Sequence, residues 1–506
     1  MGRWEDATWV PDLAALGGRA ARQPFSYRAF VPDHVGGTDF VFSATTAADL
    51  ADAQAAIAVA DHGPHLVAVE ILARLLLRSE SVASSQIEGL ECSQRRLAEA
   101  AFAPEHATET ARLVLANIDA MRQAVALGEA ASAITVDDLR AMHEVLMRGD
   151  RATGRFAGQL RTRQNWIGGR SDSPRGAAYV PPPSRYVAPL MQDLVDFVNG
   201  DDLPALAQAA IAHAQFETIH PFLDGNGRLG RCLIHVVLAR RGLAARILVP
   251  VSLVLAAYGD QYIQGLVDFR EDRVDAWCAT FASAAQLAID GAARFEAELA
   301  TTVTRWRLEA QARPDTHLWQ ACAWSVANPV FTAASLGTGL DCSHTAAAEV
   351  IERLVAIGIV AQVSLGKRNR VYLNRASLRL LDDFERDLLT GADGRPGRLR
   401  TSAQAKTAIP AAVLPSVEHA VLESFPLGTS RPPSAGAIAR IVGYRTDEVH
   451  QVLDRFQHEG VAEGAGGEGW VLTPKGRRLR AMIRANEDLR TDVSTDGDEP
   501  KSGRPG

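Results

Sequence analysis

The chain has few cysteines, no long apolar run and only a small excess of negative charge. Its five cysteines are far apart and form no C-x-x-C pair, which argues against a disulfide framework or a structural zinc site and fits a reducing cytosol. No stretch of about twenty uninterrupted apolar residues is present, so we expect a cytoplasmic protein without a membrane partner. A net charge of −7 over 506 residues argues against a surface that coats nucleic acid as a whole.

Length and apolar content predict several domains, most of them helical. The 506 residues exceed what one core usually organises, and hydrophobic residues make up 47% of them. The spacing of Leu72 and Leu76 predicts a helix that ends at Gly89. Residues 154–187 place Gly-Gly and Ser-Pro between two short β-prone pieces, which predicts a hairpin or flap. We expect a mainly α fold with a small β-hairpin flap, followed by two winged helix-turn-helix-like α+β modules.

Changes in composition set the expected domain boundaries. The predicted order is an N-terminal accessory region (1–105), a helical core (106–313) that contains the flap, a first module (314–390), a linker (391–412), a second module (413–484) and a disordered tail (485–506). The abundance of alanine, arginine and glycine is typical of a GC-rich bacterial genome.

The segment "HPFLDGNGRLGR", from His220 to Arg231, gathers groups suited to phosphate chemistry at the junction of two predicted helices. A helix N-terminus has unpaired N–H groups and a positive dipole end, and Asn226 stands at that point. Gly225 and Gly227 allow positive φ and a close approach of the backbone to a ligand. This pattern predicts a cradle for a polyphosphate.

Four charged or titratable side chains complete the segment. Arg228 and Arg231, three residues apart, project from one face of the second helix. Asp224 adds an oxygen ligand suited to Mg²⁺ held jointly with substrate phosphates, and His220 supplies a base near neutral pH. Each residue alone is also explained as a cap, a turn or an ordinary ion pair. Together they predict transfer of a group from a nucleotide to a hydroxyl without a covalent enzyme intermediate.

The order of these residues resembles the Fic family motif, HxFx(D/E)GNGRxxR. The chain matches every specified position, namely His220, Phe222, Asp224, Gly225, Asn226, Gly227, Arg228 and Arg231. The resemblance covers residues 30–300 or so, including "NWIGG" and "YVPPP", pieces that precede the motif in similar proteins. It implies a helical fold that transfers AMP from ATP to a protein hydroxyl with Mg²⁺ and releases pyrophosphate.

The resemblance also implies a role for each position. His220 would deprotonate a Ser, Thr or Tyr of the target protein, Asp224 would hold Mg²⁺, and Phe222 would be a buried anchor. The phosphate contacts would be Asn226 and Gly227 at the α-phosphate, Arg228 at the β-phosphate and Arg231 at the γ-phosphate.

Two further regions are candidate parts of the site. Tyr262 would line the adenine pocket, although its segment departs from the family's usual Tyr-Tyr pair. The flap residues Asn165, Trp166, Ile167 and Gly168 would form a strand edge that pairs with an extended segment of the target protein.

The helix that precedes Gly89 ends in "SSQIEG", which resembles the family's inhibitory motif, (S/T)xxxE(G/N). Ser84, Glu88 and Gly89 stand at the matching positions. The resemblance implies an inhibitory helix at about 81–89 whose Glu88 reaches Arg231. A carboxylate there removes a phosphate ligand and adds like charge where the γ-phosphate must sit. The same glutamate could instead position water for the removal of AMP, so de-AMPylation stays open.

The two C-terminal modules leave DNA binding and dimerisation open. Lys367, Arg368 and Arg370 stand at the expected wing tip of the first module, where they would contact DNA phosphates. Its recognition-type helix, however, offers mainly alanine, glutamate and isoleucine, which are poorly suited to reading bases. Contacts in a homodimer, or docking of a target, would serve equally well.

The leading hypothesis is therefore an autoinhibited protein adenylyltransferase that uses ATP and Mg²⁺ to modify a target protein and itself. The non-enzyme alternative is a winged-helix transcription regulator with a nucleotide-sensing, non-catalytic Fic domain, which the intact His220 disfavours. Phosphate transfer, as in the toxin-like Doc branch, is disfavoured because that branch carries lysine where Gly227 stands. Donors such as UTP or CDP-choline stay open.

Overall fold

The computed structural model describes most of the chain up to residue 390 and short parts beyond it. Described are residues 2–10, 24–63, 65, 67–130, 132–169, 173–363, 370–390, 421, 434–442, 446–458, 462–464 and 470–473. The predicted linker and tail lie outside these residues. The described residues form two compact units, those within Met1–Leu299 and Ala323–Ile409 and those within Ala300–Cys322 and Pro410–Gly506.

Helices dominate both units, as predicted. Those up to residue 309 are α1 (Ala44–His62), α2 (Val69–Ile87), α3 (Gln94–Phe102), α4 (Glu109–Glu129), α5 (Val136–Leu146), α6 (Val187–Asn199), α7 (Ala205–Ile219), α8 (Asn226–Arg240), α9 (Val251–Ala257), α10 (Gly259–Arg270) and α11 (Val274–Glu309). The later ones are α12 (His317–Ala327), α13 (Ala333–Gly339), α14 (His344–Ala356), α15 (Arg375–Thr390), α16 (Ala435–Val442) and α17 (Thr446–His458). Throughout the described ranges, none of the helices combines the length and apolarity needed to cross a membrane.

The strands are short except at the N-terminus. They are β1 (Gly2–Trp9), β2 (Phe25–Pro32), β3 (Val330–Phe331), β4 (Ala361–Gln362), β5 (Tyr372–Leu373), β6 (Ala462–Gly464) and β7 (Trp470–Leu472). They form an antiparallel β1–β2 pair, a three-stranded sheet of order β3-β5-β4 and an antiparallel β6–β7 pair.

Two helices that are buried on nearly every face, α7 and α8, meet at the motif. The side chains of α7 from Leu206 to Ile219 are buried, as are those of α8 from Asn226 to Ala239. A helix buried all round needs apolar residues on every face, and alanine, leucine, isoleucine and valine supply most of them here. α8 also packs against α4, and α7 against α6. The loop between α7 and α8 is therefore carried by two rigid elements.

The helix that carries the predicted inhibitory motif, α2, packs against α4, α8 and α9. Leu72, Leu75 and Leu76 belong to its buried face. Gly89 adopts a φ of 76°, and Leu90 N donates to Ser85 O at 3.0 Å. This left-handed termination favours glycine, so the predicted helix end at Gly89 is confirmed.

The longest strands form an N-terminal hairpin that the sequence did not lead us to expect. β1 and β2 pair from Gly2 opposite Pro32 to Trp9 opposite Phe25. Phe30 N donates to Val180 O at 3.0 Å, and Trp9 packs edge to face on Trp166 with ring centroids 5.3 Å apart. The N-terminal hairpin therefore lies on the predicted flap.

The flap itself is less regular than a hairpin. Within the described part of 154–187, strand pairing is limited to one antiparallel bridge between Ile167 and Tyr179. The prolines at 181–183 have no N–H to donate to a ladder, which explains why pairing stops there. The described part of the flap is thus an irregular segment closed by one bridge.

The chain between α12 and α15 contains the elements of the first predicted module. α13 packs against α14, and β3 and β4 both pair with β5. The winged-helix type of this module stays a prediction. Lys367 and Arg368 lie outside the described residues, and Arg370 is exposed, so DNA contacts also stay a prediction. α15 packs against α2, α3 and α9.

The second predicted module has a core of its own. α16 and α17 pack together, and α17 packs against β6. Buried in this core are Ile438, Val449, Leu453 and Phe456. Its winged-helix type likewise stays a prediction.

Candidate active site

His220 ends α7 in a conformation that side chains rarely adopt. Its φ of 50° and ψ of 60° are left-handed, and its N–H donates to Phe216 O at 2.8 Å. A non-glycine residue held in this region indicates a position fixed by its surroundings. The side chain is 17% exposed. Burial lowers the pKa of His220 to about 4, so the imidazole is neutral at neutral pH and able to accept a proton.

The side chain of Asn226 closes the loop that follows His220. Its Oδ1 accepts from Phe222 N at 2.9 Å, and its Nδ2 donates to Phe222 O at 2.9 Å. Phe222 is fully buried, as the family resemblance implies, and stacks on the ring of His143 at 3.8 Å. The amide of Asn226 thus shapes the loop, and what it presents at the start of α8 is its backbone N–H.

Arg161 and Asn165 hold the backbone of the same loop from the flap side. Arg161 Nε donates to His220 O at 2.8 Å, and its Nη2 donates to Ile219 O at 3.2 Å. Asn165 Nδ2 donates to His220 O at 3.2 Å and to Phe222 O at 2.8 Å. Burial lowers the pKa of Arg161 to about 10, which still leaves it charged at neutral pH. The sequence predicted Asn165 only as a target-docking residue and did not single out Arg161.

His143 on α5 holds the other end of the loop. Its Nδ1 accepts from Gly158 N at 2.9 Å, so its Nε2 carries the proton that is donated to Asp224 O at 3.0 Å. Burial lowers the pKa of His143 to about 4, so this tautomer is neutral. His143 is a polar residue on the buried face of α5, between Leu139 and Leu146, and this position was the sequence signal for a role in the site.

Asp224 is exposed at the mouth of the loop. Its Oδ1 accepts from Gly225 N at 2.7 Å and its Oδ2 accepts from Thr153 Oγ1 at 3.3 Å. Gly225 has a φ of 73°, and a Cβ there would lie 2.8 Å from Met147 Sδ. Across the described residues no group of three or more His, Cys, Asp and Glu side chains could hold a metal ion. A cation at Asp224 would therefore depend on substrate oxygens, which fits Mg²⁺.

The first turn of α8 presents a buried cation and a glycine. Arg228 is buried, and its Nε and Nη1 have no hydrogen-bond partner among the described residues. A buried guanidinium with unused donors is a site for an anion. At Gly227 a Cβ would lie 2.0 Å from Glu88 Oε1, so only glycine leaves room for that carboxylate.

Arg231, one turn further along α8, joins the end of α2 to this site. Its Nε donates to Ser84 Oγ at 2.9 Å, and its Nη2 donates to Ser84 O at 2.7 Å and to Glu88 Oε1 at 2.8 Å. Although burial opposes it, the charge and hydrogen bond of Arg231 hold the pKa of Glu88 below its ordinary value. Glu88 raises the pKa of Arg231 in turn, against the effect of burial. The pair is ionised at neutral pH.

Tyr262 lies on α10 and is buried rather than open to a ligand. Its Oη lies 2.9 Å from His213 Nε2, and burial raises its pKa. Its predicted place in an adenine pocket stays a prediction.

The other flap residues stay candidates for target docking. Trp166 is half-buried beneath Trp9, Ile167 is 38% exposed, and Gly168 adopts a φ of 72°. Asn165, which bonds the loop that carries His220, stands two residues before the exposed positions Ile167 to Gly169.

Fold and site together define a helical protein in which a neutral histidine precedes a helix whose first turn holds a buried arginine. Two family models identify it further. Residues 133–238 match the Fic/DOC family and residues 47–126 match the Fic/DOC family N-terminal region. The first matched segment contains the motif loop, and the second contains α2.

Curated relatives are similar over parts of the chain. Protein adenylyltransferase fic-1 of Caenorhabditis elegans is 33% identical over 141 residues, which are 27% of this chain and 25% of that protein. Probable protein adenylyltransferase aq_aa38 of Aquifex aeolicus (strain VF5) is 41% identical over 69 residues, 13% of this chain and 22% of that protein. The chain thus spans about a quarter of the length of the curated relatives it matches.

Two solved structures of Fic proteins are similar to parts of the chain. A Fic family protein from Desulfovibrio desulfuricans G20 has a TM-score of 0.42 at 19% identity, covering 66% of this chain and 98% of that one. Fic-1 from C. elegans has a TM-score of 0.40 at 21% identity, covering 49% of this chain and 72% of that one.

Proposed function

We propose that the protein is an autoinhibited protein adenylyltransferase, which transfers AMP from ATP to a hydroxyl of a target protein and of itself. The observation that carries the proposal is the ion pair between Glu88 and Arg231, which lies against Gly227 in the first turn of α8, the helix that follows the loop of the neutral His220. The relatives named protein adenylyltransferase support the activity.

The reaction needs a base, an anion site and a free hydroxyl. The oxygen of a Ser, Thr or Tyr hydroxyl attacks the α-phosphate while its proton passes to the imidazole of His220. The bond between the α-phosphorus and the bridging oxygen breaks, and pyrophosphate leaves with that electron pair. The backbone N–H groups at the start of α8 and the unused donors of Arg228 offset the charge that develops on the phosphate oxygens.

Asp224 is the residue that would hold Mg²⁺ together with oxygens of the triphosphate. Bound there, the ion supplies charge neutralisation on the leaving pyrophosphate. Thr153 and Gly225, which bond the carboxylate of Asp224, keep it at the mouth of the loop.

Glu88 acts as the brake in this proposal. Its carboxylate accepts a hydrogen bond from Arg231, the arginine that the γ-phosphate would otherwise contact. The carboxylate also lies against Gly227, where phosphate oxygens would approach. A second negative charge in that space costs Coulomb energy, so ATP is excluded from its productive pose. De-AMPylation by Glu88 fits less well, because a carboxylate whose pKa is lowered by Arg231 is a weak base for activating water.

The test is a labelling experiment with Glu88→Gly protein, Mg²⁺ and ATP labelled at either the α- or the γ-phosphate. We expect label from the α-position only, in an amount about tenfold or more above that of the wild type. A tenfold rise corresponds to the removal of about 1.4 kcal/mol of inhibition. A Glu88→Gly/His220→Ala variant should retain none. Glu91→Gly, which removes an exposed glutamate three residues further on, is the matched control and should behave as wild type.

Each other outcome has a defined meaning. Equal labelling of wild type and Glu88→Gly would remove the brake from the proposal while leaving AMP transfer. Label from the γ-position would mean a kinase. No label from either position would favour another nucleotide donor or the non-catalytic regulator.

A further inference from the structure

Glu217 is a buried carboxyl group beside His220 that no role above uses. It lies on α7, one turn before His220, and its Oε2 is 3.9 Å from His220 Nδ1. Within the described residues, neither His220 Nδ1 nor Glu217 Oε1 has a hydrogen-bond partner. The backbone carbonyl of Glu217 is near enough to raise the pKa of His220, yet its geometry falls short of a hydrogen bond. The unpartnered Nδ1 of His220 and the carboxyl group of Glu217 therefore lie close together in a buried site.

The position of Glu217 is fixed by close packing against α8. A Cβ at Gly230 would lie 2.5 Å from Glu217 Oε1. The charged and titratable groups around it are His213 on α7, Arg231 on α8, Tyr262 and Arg270 on α10, and Glu88 at the end of α2. Burial raises the pKa of Glu217 to about 7, against the attraction of Arg231 and with a further rise from Glu88. The group therefore changes charge near neutral pH.

We propose that Glu217 is a positioning residue that orients the imidazole of His220 and, as a carboxylate, stabilises the imidazolium formed during AMP transfer. A carboxylate at Nδ1 favours the tautomer with its proton on Nδ1, which leaves Nε2 free as the base. The target's proton moves from the hydroxyl oxygen to Nε2, and Glu217 keeps its charge throughout. This inference rests on the proposed function.

The expected pH dependence follows from the two groups. His220, with a pKa of about 4, is already neutral well below pH 7, so its own titration cannot limit the reaction near neutrality. Glu217 is protonated and uncharged below its pKa, and the imidazolium then lacks its partner. The rate therefore rises with pH as Glu217 ionises, at or below about pH 7 once Glu88 is removed.

The experiment compares Glu88→Gly with Glu88→Gly/Glu217→Gln, since glutamine keeps the size of the side chain and removes its charge. We expect kcat for self-modification to fall about tenfold or more, KM for ATP to stay within about twofold, and the rise with pH to disappear. The matched control is Glu88→Gly/Glu385→Gln. It removes a carboxyl group on α15 whose pKa burial also raises to about 7, and it should keep the parent's pH profile.

A second measurement does not depend on AMP transfer. The ¹⁵N spectrum of the histidine side chains, with His220 assigned by its loss in His220→Ala, reports which ring nitrogen carries the proton. Above pH 7 the Nδ1–H form should dominate in the parent and lose population in Glu217→Gln. An unchanged tautomer, or an unchanged pH profile, would overturn the proposal and leave the orientation of His220 to the backbone carbonyl. Inactivity of Glu88→Gly alone would count against the proposed function and not against this tautomer result.

Discussion

The motif loop from His220 to Gly225 and the last residue of the brake, Glu88, adjoin the same helix, yet they are held in opposite ways. The loop carbonyls of His220, Pro221, Phe222 and Asp224 accept hydrogen bonds from Arg161, Asn165, Asn226 and His143. Among the described residues, the carboxylate of Glu88 has one donor, Arg231, and its side chain is 34% exposed. Redundant bonds fix the reactive geometry, whereas one side-chain ion pair within the described residues holds the carboxylate of Glu88.

This difference explains how one domain can be both preorganised and inhibited. A catalytic loop gains rate when its groups need no rearrangement during the reaction, so many buried bonds are favourable there. A brake must be released, and an ion pair that water reaches on one side can be exchanged for another anion on the same arginine. We therefore expect changes in the loop to have large effects and changes around Glu88 to have graded ones.

The largest effect should follow from weakening the loop. In the Glu88→Gly background, Arg161→Lys keeps the charge but replaces the planar fork that bonds several carbonyls at once. We expect AMP transfer to fall about a hundredfold, because a displacement of about 1 Å at the reacting groups can cost that much. Exposed Arg163, changed to lysine, is the control. Transfer within about twofold of the parent would show that the loop is held without Arg161.

An intermediate effect should follow from weakening the brake without removing it. Ser84→Ala in the wild-type background removes the acceptor of Arg231 Nε but keeps the Ser84 carbonyl and Glu88. A hydrogen bond contributes about 1 kcal/mol net, so we expect AMP transfer to rise about fivefold. The control is Ser85→Ala, because Ser85 bonds Ser81 O and Asn117 instead. If both variants gained activity equally, general loosening of α2 would be the cause.

The sequence identified the parts of the site that form a local pattern. The order from His220 to Arg231 predicted a loop and a helix N-terminus, and the family resemblance implied that Glu88 reaches Arg231. The structure shows that contact across 143 residues of chain. Both predictions succeed because each group stands at a helix end, where backbone geometry leaves few arrangements.

What the sequence did not reveal depends on tertiary contacts with backbone carbonyls. Arg161 bonds carbonyls of residues about 20 and 58 positions away, and every residue offers a carbonyl, so no spacing marks such a partner. The pairing of β1 with β2 was missed because residues 10–24 separate the two strands in the sequence, far more than a two-residue hairpin turn. The flap was expected to be a hairpin because Gly-Gly and Ser-Pro stand between two β-prone pieces, and the missing N–H groups of the prolines at 181–183 were not taken into account.

The smallest effect on transfer should come from the part of α2 that lies far from Glu88. Glu385 on α15, a helix that packs against α2, accepts a hydrogen bond from Gln94 of α3, and burial raises its pKa to about 7 from an ordinary 4.5. The protonated carboxyl group's contribution to the free energy of unfolding is fully present below about pH 4.5 and is lost as pH rises through about 7. That contribution is at most about 3 kcal/mol, and less where solvent reaches the carboxylate. Glu385→Gln should therefore flatten the fall of the thermal midpoint between about pH 5 and about pH 8 while AMP transfer stays within about twofold of wild type. If the thermal midpoint of the variant fell with pH as steeply as that of the wild type, Glu385 would be ionised in the folded protein. If AMP transfer rose as much as in Ser84→Ala, the brake would be held along the whole of α2 and not at its end.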